Sequence, residues 1–428
     1  MMASRVLVCL VSSMIVQIAD ATQSKSNSTF FIIGDYGNIN HLDYANKTFD
    51  AMNNIVGNPQ TDIDKAEFIV SCGDNLYPEV SAEPTIEEFT TMLNMFKRPN
   101  LAKLPVWAIR GNHDTYFNWT DELLLNMEQT QWQLPSFYYT KLVPAGSDGE
   151  LMGLLFVDSI LMLCSDYTAA NLQDHPINDP ELSSWYNDYC ENEQWVAWGN
   201  SQYDWILQTM KEWDANEKII WRATIQHYPM FPAHYAMSDF TGIVKYFLPL
   251  LQQHKFDLYL CGHEHLMAYA EVPKNIDIIS IEEISKKQLH ELQYTHPKMC
   301  DYGVITTYGS NSGTSRVVMQ GESLHQVTTG FTGKSAYSIC RDRLQPAVYK
   351  YAENTHWAWT QVLVTNSTMQ LLSRGVQHDS SDVKDLYSLT ISRVPIQTQA
   401  SSVWVVDTIW CLVVVCLVLS VFFFIRSK

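Results

Sequence analysis

Basic residues are scarce in this chain. Lys and Arg together number 28 against 46 Asp and Glu in 428 residues, giving a net charge of −18 and a pI near 5.1. That balance excludes the basic footprint of a nucleic-acid binder. It favours solubility and identifies no partner. Charged residues of both signs make up only 17%, against 46% hydrophobic, which suits a globular protein. No internal repeat and no low-complexity tract is present. The length exceeds the usual single core, so one large domain with appendages or two domains are both open.

The longest uncharged apolar runs lie at the two ends. Residues 1–21 carry Arg5, an apolar run from Val6 to Ile18, and then Ala19-Asp20-Ala21. This is the pattern of a secretory signal peptide cleaved after Ala21. Residues 404–425 read as a C-terminal transmembrane helix, with eighteen uncharged residues from Thr408 to Ile425. Arg426-Ser427-Lys428 follows, and positive residues favour the cytoplasmic side. The reading is a single-pass, type I membrane protein of the secretory pathway, at the cell surface or in a lysosome-like compartment. A GPI signal is the alternative for the tail; "ASSV" at 400–403 supplies small residues but the polar spacer is missing. Sequons at Asn27, Asn46, Asn118 and Asn366 fit N-glycosylation on that route. An oxidising lumen also permits disulfides. Of nine cysteines, Cys9 lies in the leader and Cys411 and Cys416 in the tail. Among the rest, Cys72 and Cys261 end apolar runs and read as buried thiols, while Cys164–Cys190 and Cys300–Cys340 are the expected pairs.

The body, 22–400, alternates short apolar runs with helical patterns. Strands are predicted in "TFFIIGD" (29–35), "EFIVSCGD" (67–74), "PVWAIRGNHD" (105–114), "GLLFVDS" (153–159), "KIIWRATIQHYP" (218–229) and "FDLYLCGHEH" (256–265). Between the second and third, "TIEEFTTMLNMF" (85–96) has a Thr85-x-x-Glu88 capping box and apolar residues at 86, 89, 92, 93 and 96. A strand–helix–strand crossover of this kind marks a largely parallel sheet covered by helices. A more β-rich tail follows at 302–310 and 357–365. Residues 165–215 read as a surface insertion ending in a helix that packs its aromatics, and 273–300 as a second insertion.

Nearly all the strands end in Gly, Asp, Asn or His. Active sites collect at the carboxyl ends of strands in open α/β sheets. The residues falling there are Asp35 in "GDYG", Asp74 and Tyr77 in "GDNLY", Asn112 and His113 in "GNHD", His227 in "QHYP", and His263 and His265 in "GHEH". In "GHEH" the two histidines stand at i and i+2, which in an extended segment points both rings the same way, and Gly262 lets the backbone turn. Singly, each has a plainer reading as a turn, a cap or a packed aromatic. Together, two carboxylates, an amide, a phenol and several imidazoles suit a cluster of hard metal ions.

The order GDxG, GDxxY, GNHD, HYP and GHxH resembles the purple acid phosphatases of the calcineurin-like metallophosphoesterase superfamily, the tartrate-resistant type above all. The match spans roughly residues 29–395 and is tightest at the five motifs. The resemblance implies a four-layer αββα sandwich of two mixed β-sheets flanked by helices. It implies a dinuclear centre, with Fe(III) on Asp35, Tyr77 and His265, a divalent ion (Fe, Zn or Mn) on Asn112, His227 and His263, and Asp74 bridging. His113 would touch substrate phosphate or protonate the leaving group. His234, in "HYPMFPAHYAM", is similar to a second catalytic histidine of the family, at a shorter spacing. Metal-bound hydroxide would attack phosphomonoester substrates, at acid pH. Where many relatives of the wider superfamily carry D-x-H, this chain has Gly37, and Tyr77 supplies a hard anionic donor instead. "GDNLYPE" departs from the GDxxDRG of protein Ser/Thr phosphatases. The family's small members pair a cysteine at the position of Cys164 with one after the HYP loop, where this chain has none. A metallophosphodiesterase or nucleotide hydrolase on the same site, and an inactive cell-surface binding scaffold, are the alternatives.

Overall fold

The computed structural model describes residues 26–39, 42–77, 86–115, 131–166, 190, 192–234, 241–274, 276, 304–309, 314–341, 348–377 and 379–393. Its strands, in chain order, are β1 (Ser28–Ile33), β2 (Phe68–Ser71), β3 (Val106–Ala108), β4 (Trp132–Gln133), β5 (Tyr139–Pro144), β6 (Leu151–Phe156), β7 (Ile219–Ile225), β8 (Leu258–Cys261) and β9 (Met267–Pro273). The β-rich tail adds β10 (Val304–Ile305), β11 (Thr307–Tyr308), β12 (Thr314–Met319), β13 (Ser323–Thr329), β14 (Ile339–Cys340), β15 (Tyr349–Glu353), β16 (Trp357–Val364), β17 (Thr368–Val376) and β18 (Val383–Ser392). The described helices are α1 (Leu42–Gly57), α2 (Ile86–Asn94), α3 (Ser159–Cys164), α4 (Glu193–Asp214), α5 (Thr241–Tyr246) and α6 (Leu248–Gln253).

Among the described residues sixteen of these strands form two eight-stranded mixed sheets, and β10 pairs with β14 by itself. The first runs β12-β18-β17-β16-β1-β2-β3-β4, the second β11-β15-β9-β13-β8-β7-β6-β5. The second has a parallel core with antiparallel flanks, while in the first the parallel run ends at the β4 edge and antiparallel strands follow on its other side, out to a parallel β18–β12 pair. β1, β2, β3 and β4 are parallel neighbours in the first, and β6, β7, β8 and β13 in the second. The expected crossover is present, with α2 joining the parallel pair β2 and β3. Thr85, the expected cap, lies outside the described residues.

Burial explains why the core strands read as unbroken apolar runs. β1, β2, β3 and β8 are buried at every position, as strands covered on both faces must be. In β8, Leu258 and Leu260 pack with β1 and the rest of the first sheet, while Tyr259 and Cys261 pack with Ile206 and Met210 of α4 and Leu248 and Leu251 of α6. Successive side chains thus serve two cores, one between the sheets and one under the helices. Phe49 and Met52 of α1 and Phe89 and Met92 of α2 belong to the same continuous apolar cluster as the first sheet.

In the first insertion, α4 starts at Asn192, whose side chain caps Gln194 N–H at 2.9 Å. It buries Trp195, Tyr203 and Trp213, as expected of its aromatics. Cys164 pairs with Cys190. Cys340 is also disulfide-bonded; its expected partner, Cys300, lies outside the described residues. Cys72 and Cys261 are buried free thiols. Of the sequons, Asn46 sits in α1 with its side-chain Oδ1 accepting from Arg98 Nη2 at 2.9 Å, and Asn366 is exposed between β16 and β17. The expected signal peptide 1–21, the expected transmembrane segment 404–425, Asn118 and most of 273–300 lie outside the described residues. No helix among those described is long and apolar enough to cross a membrane.

Candidate metal centre

The two parallel cores point their carboxyl ends at one place, and the loops leaving them are bent sharply. Four non-glycine residues among those described have positive φ. Three are Asp35 (56°), Asp74 (51°) and His263 (70°); the fourth, Lys255, lies before β8. Each such residue costs of order 1–3 kcal/mol and persists only where its surroundings dictate it. Three of them around one cluster mark it as the strained part of the fold.

The bend at His263 corrects one step of the sequence reading. The segment is not extended there, so His263 and His265 do not project together as strand neighbours. The turn is made at the histidine. Gly262 is needed for closeness instead, since a Cβ on it would lie 2.5 Å from Asp35 Oδ2. His263 Nδ1 comes to 3.0 Å from Asn112 Oδ1, while His265 Nε2 lies 3.1 Å from Tyr77 Oη and 3.6 Å from Asp35 Oδ1.

Seven predicted donors meet here, all buried: Asp35, Asp74, Tyr77, Asn112, His227, His263 and His265 are at most 6% exposed. They fall into two trios. Tyr77 Oη is 3.0 Å from Asp35 Oδ1 and completes the first with His265. Asn112 Oδ1 lies 3.0 Å from both His227 Nε2 and His263 Nδ1, forming the second. Asp74 stands between them. Its Oδ1 is 3.3 Å from His227 Nε2, and it shares a group of ligand atoms within 4.8 Å of one another with Asp35 and His265.

Backbone carbonyls fix two of the imidazoles. His227 Nδ1 lies 2.8 Å from Cys72 O, and His265 Nδ1 lies 3.0 Å from Ser335 O. A carbonyl only accepts, so each Nδ1 carries the hydrogen and each Nε2 turns its lone pair into the site. Asp35 Oδ2 accepts the His263 N–H at 2.9 Å, and Ser159 Oγ accepts the His227 N–H at 2.9 Å.

The electrostatics show the same crowding. Burial pushes Asp35 well above the carboxylate range, and Asp74 adds to the rise. Burial, then the charges of Asp35 and Asp74, push Tyr77 up. Burial would raise Asp74 too, but His227 and His113 outweigh it and hold its carboxyl far down. Burial would lower His227, yet Asp74 holds it at about 9. His263 and His265 are pressed well below the usual histidine range, chiefly by burial. Two carboxylates and a phenol packed with three imidazoles hold protons where cations would relieve the same charge. Hard oxygen donors with imidazole nitrogens fit iron, zinc or manganese. The cradle fits as well, since a Cβ on Gly111 would fall on Asp74 Oδ1 and His227 Cε1.

The two predicted catalytic histidines are placed differently. The His113 side chain is 27% exposed, with Nε2 4.0 Å from Asp74 Oδ2 and its ring 4.4 Å from that of Tyr77. Its N–H donates to Asp74 Oδ1 at 2.9 Å. His234 is half-buried, with Nδ1 2.7 Å from Ser338 O and its ring stacked 4.7 Å from Tyr337. Tyr337 stacks in turn on His265 at 3.9 Å. Three residues that sequence reasoning passed over hold these loops. Asp114 accepts the N–H groups of Gly111, Asn75 and Leu76 at 2.7, 3.1 and 3.0 Å, tying "GNHD" to "GDNLY". Glu264 accepts the Ala233 and His234 N–H groups, at 2.8 and 2.6 Å. Both are charged letters inside motifs already singled out, buried where a surface acid would be solvated, and that was the available signal. Tyr337 lies in no motif.

Comparison with known proteins follows the same lines. Residues 28–267 match the calcineurin-like phosphoesterase family. The chain is 24% identical over 305 residues to a tartrate-resistant acid phosphatase type 5 of Sus scrofa, covering 67% of this chain and 82% of that one. It is 24% identical over 276 residues to purple acid phosphatase 17 of Arabidopsis thaliana, covering 61% and 72%. Among solved structures, a purple acid phosphatase from yellow lupin seeds superposes with a TM-score of 0.51 at 13% identity, over 87% of this chain and 55% of that one. GAP50, described as the anchor in the inner membrane complex of Plasmodium, superposes with a TM-score of 0.52 at 14% identity, over 85% and 89%. At such identities the superpositions speak for the fold alone.

Proposed function

The chain belongs to the calcineurin-like phosphoesterase family, and we propose that it is an acid phosphatase hydrolysing phosphate monoesters at a dinuclear centre. Asp35, Tyr77 and His265 would hold Fe(III), and Asn112, His227 and His263 a divalent ion, with Asp74 between. The observation that carries this is the division of seven buried donors into two trios about one carboxylate. When bound, two such cations draw in the phosphate oxygens and lower the pKa of water. The chain's own residues do the rest. The Cys72 and Ser335 carbonyls keep the His227 and His265 rings aimed, so the donor set is fixed before substrate arrives. Burial excludes bulk water from Asp35 and Asp74. His113 Nε2, at the open side of the cluster, delivers a proton to the departing alkoxide. His234, bonded to Ser338 O and stacked on Tyr337, braces the ring that stacks on His265. The leader, the apolar tail and the exposed Asn366 sequon support a secretory-route membrane glycoprotein, its body 22–400 facing the lumen or exterior.

The alternative reading is an anchoring scaffold, the role in which GAP50, a protein of similar fold, is described. A scaffold has no use for seven filled donor positions, three of its neighbouring backbone bends being strained. Metal analysis and the visible spectrum of the full-length protein, beside Tyr77→Phe, separate the readings. A tyrosinate-to-iron band that vanishes in the variant supports the proposal. A colourless, two-metal, active protein would shift it to a zinc- or manganese-type phosphoesterase. Colourless, metal-free and inactive protein would leave the scaffold.

A further inference from the structure

No sequence motif marks the segment 332–338, yet it grips the candidate centre from several sides. The Thr332 N–H donates to Gly34 O at 3.3 Å and the Gly333 N–H to Asp35 O at 3.2 Å. His265 Nδ1 donates to Ser335 O at 3.0 Å, and the Tyr337 N–H returns to His265 O at 3.0 Å. Lys334 is therefore held between a residue bonded to Asp35 and one bonded to His265. Its own carbonyl accepts from Trp357 Nε1 at 3.3 Å. Its Nζ rests 3.7 Å from the centroid of the Tyr77 ring, whose other contacts include His113. A flexible lysine is thereby kept by a pinned backbone at a wall of the site, half-buried.

We propose that Lys334 is a substrate-binding residue that takes a non-bridging oxygen of the phosphate and selects monoesters over diesters. The inference rests on the phosphatase reading above. A monoester dianion has three non-bridging oxygens and two charges; a diester has two such oxygens and one charge. With two oxygens drawn to the centre, only the monoester offers a third, charged one. An ammonium group is a point charge with three donors and suits that oxygen. The aromatic face beneath it helps to hold the cation at the wall of the site.

The test compares full-length wild type with Lys334→Gln and Lys334→Arg. Affinity for inorganic phosphate is measured by calorimetry. kcat/KM is measured for p-nitrophenyl phosphate and for bis(p-nitrophenyl) phosphate. Lys334→Gln should bind phosphate about tenfold to a hundredfold more weakly and lose a similar factor on the monoester. Its diester rate should stay within about twofold, and Lys334→Arg should keep most of both. Unchanged phosphate affinity would overturn the assignment, and so would an equal loss on both esters. Wild type that binds no phosphate and hydrolyses neither ester would overturn the phosphatase reading, and this inference with it.

Discussion

The first sheet contributes the oxygen donors and the second contributes the nitrogens. Asp35, Asp74, Tyr77 and Asn112 leave β1, β2 and β3, while His227, His263 and His265 leave β7 and β8. Neither set could hold two metals alone. The first would be a crowd of acids, and the second three imidazoles whose Nδ1 or N–H partners partly lie on the other sheet, as Cys72 O and Asp35 Oδ2 do. The centre is thus a property of the packing between sheets. Its most direct clamp is Arg110, after β3, against Asp158, after β6. The Arg110 Nε–Asp158 Oδ2 distance is 2.9 Å, and both side chains are fully buried. Asp158 also accepts the Ile160 and Leu161 N–H groups at 3.0 Å and so starts α3, which presents Ser159 to His227.

The comparison can be broken most severely at Asp74, the carboxylate that stands between the two trios. Asp74→Ala should lower kcat/KM for phosphate monoesters by about a thousandfold or more. It should also leave less than a full complement of metal by elemental analysis, with the circular dichroism of the fold retained. The clamp comes next. Asp158→Ala strands a buried guanidinium and should cost about 3–5 kcal/mol of stability by denaturant unfolding. Arg110→Met combined with Asp158→Leu should restore much of that, because a buried pair is replaceable by apolar packing. Restored stability without restored activity would show that the clamp aligns the sheets as well as holding them.

The far ends of the strands sharpen the contrast. Asp257 precedes β8 at the end away from the site, and burial holds its carboxyl at about 7. The unfolded chain releases that proton near the ordinary value of 3.8. Between these values the folded state binds more protons than the unfolded one, so stability falls as pH rises from about 4 to about 7. Melting temperatures of metal-free protein across that range should show this slope, and Asp257→Asn should reduce it, leaving the share of Asp114, which burial also holds at about 7. The smallest effect is expected at Ser159. Ser159→Ala removes the acceptor of the His227 N–H and should weaken metal binding by about tenfold in a chelator competition. No change at all would mean that the Cys72 carbonyl alone orients that ring.

Much of this was legible along the chain. Apolar runs ending in Gly, Asp, Asn or His marked the strands that carry the site, because a strand buried on both faces must be apolar throughout and can change chemistry only where it ends. The strand–helix–strand unit around α2 was legible for the same reason of period. The aromatics of α4 read as core and proved so. The direction of the His263 ring was not legible. An i, i+2 pair promises two parallel side chains only if the backbone is extended, and at φ 70° it is not. Nor were Tyr337 and Lys334 legible, since the 332–338 segment reaches Asp35 and His265 through backbone groups that every sequence possesses.

The sequence by itself determined the inventory: which residue types end which strands, and so which chemistry could be assembled. Periodicity and strand termini are local properties, and the side chains written there specify them. Only the tertiary structure decided how that inventory is shared. It set Asn112 against His227 and His263, Tyr77 against Asp35 and His265, and Lys334 over Tyr77. All but the Tyr77–Asp35 contact cross from one sheet to the other, over separations of up to 257 residues along the chain, as between Tyr77 and Lys334. They depend on strained backbone turns and carbonyl acceptors that packing alone fixes.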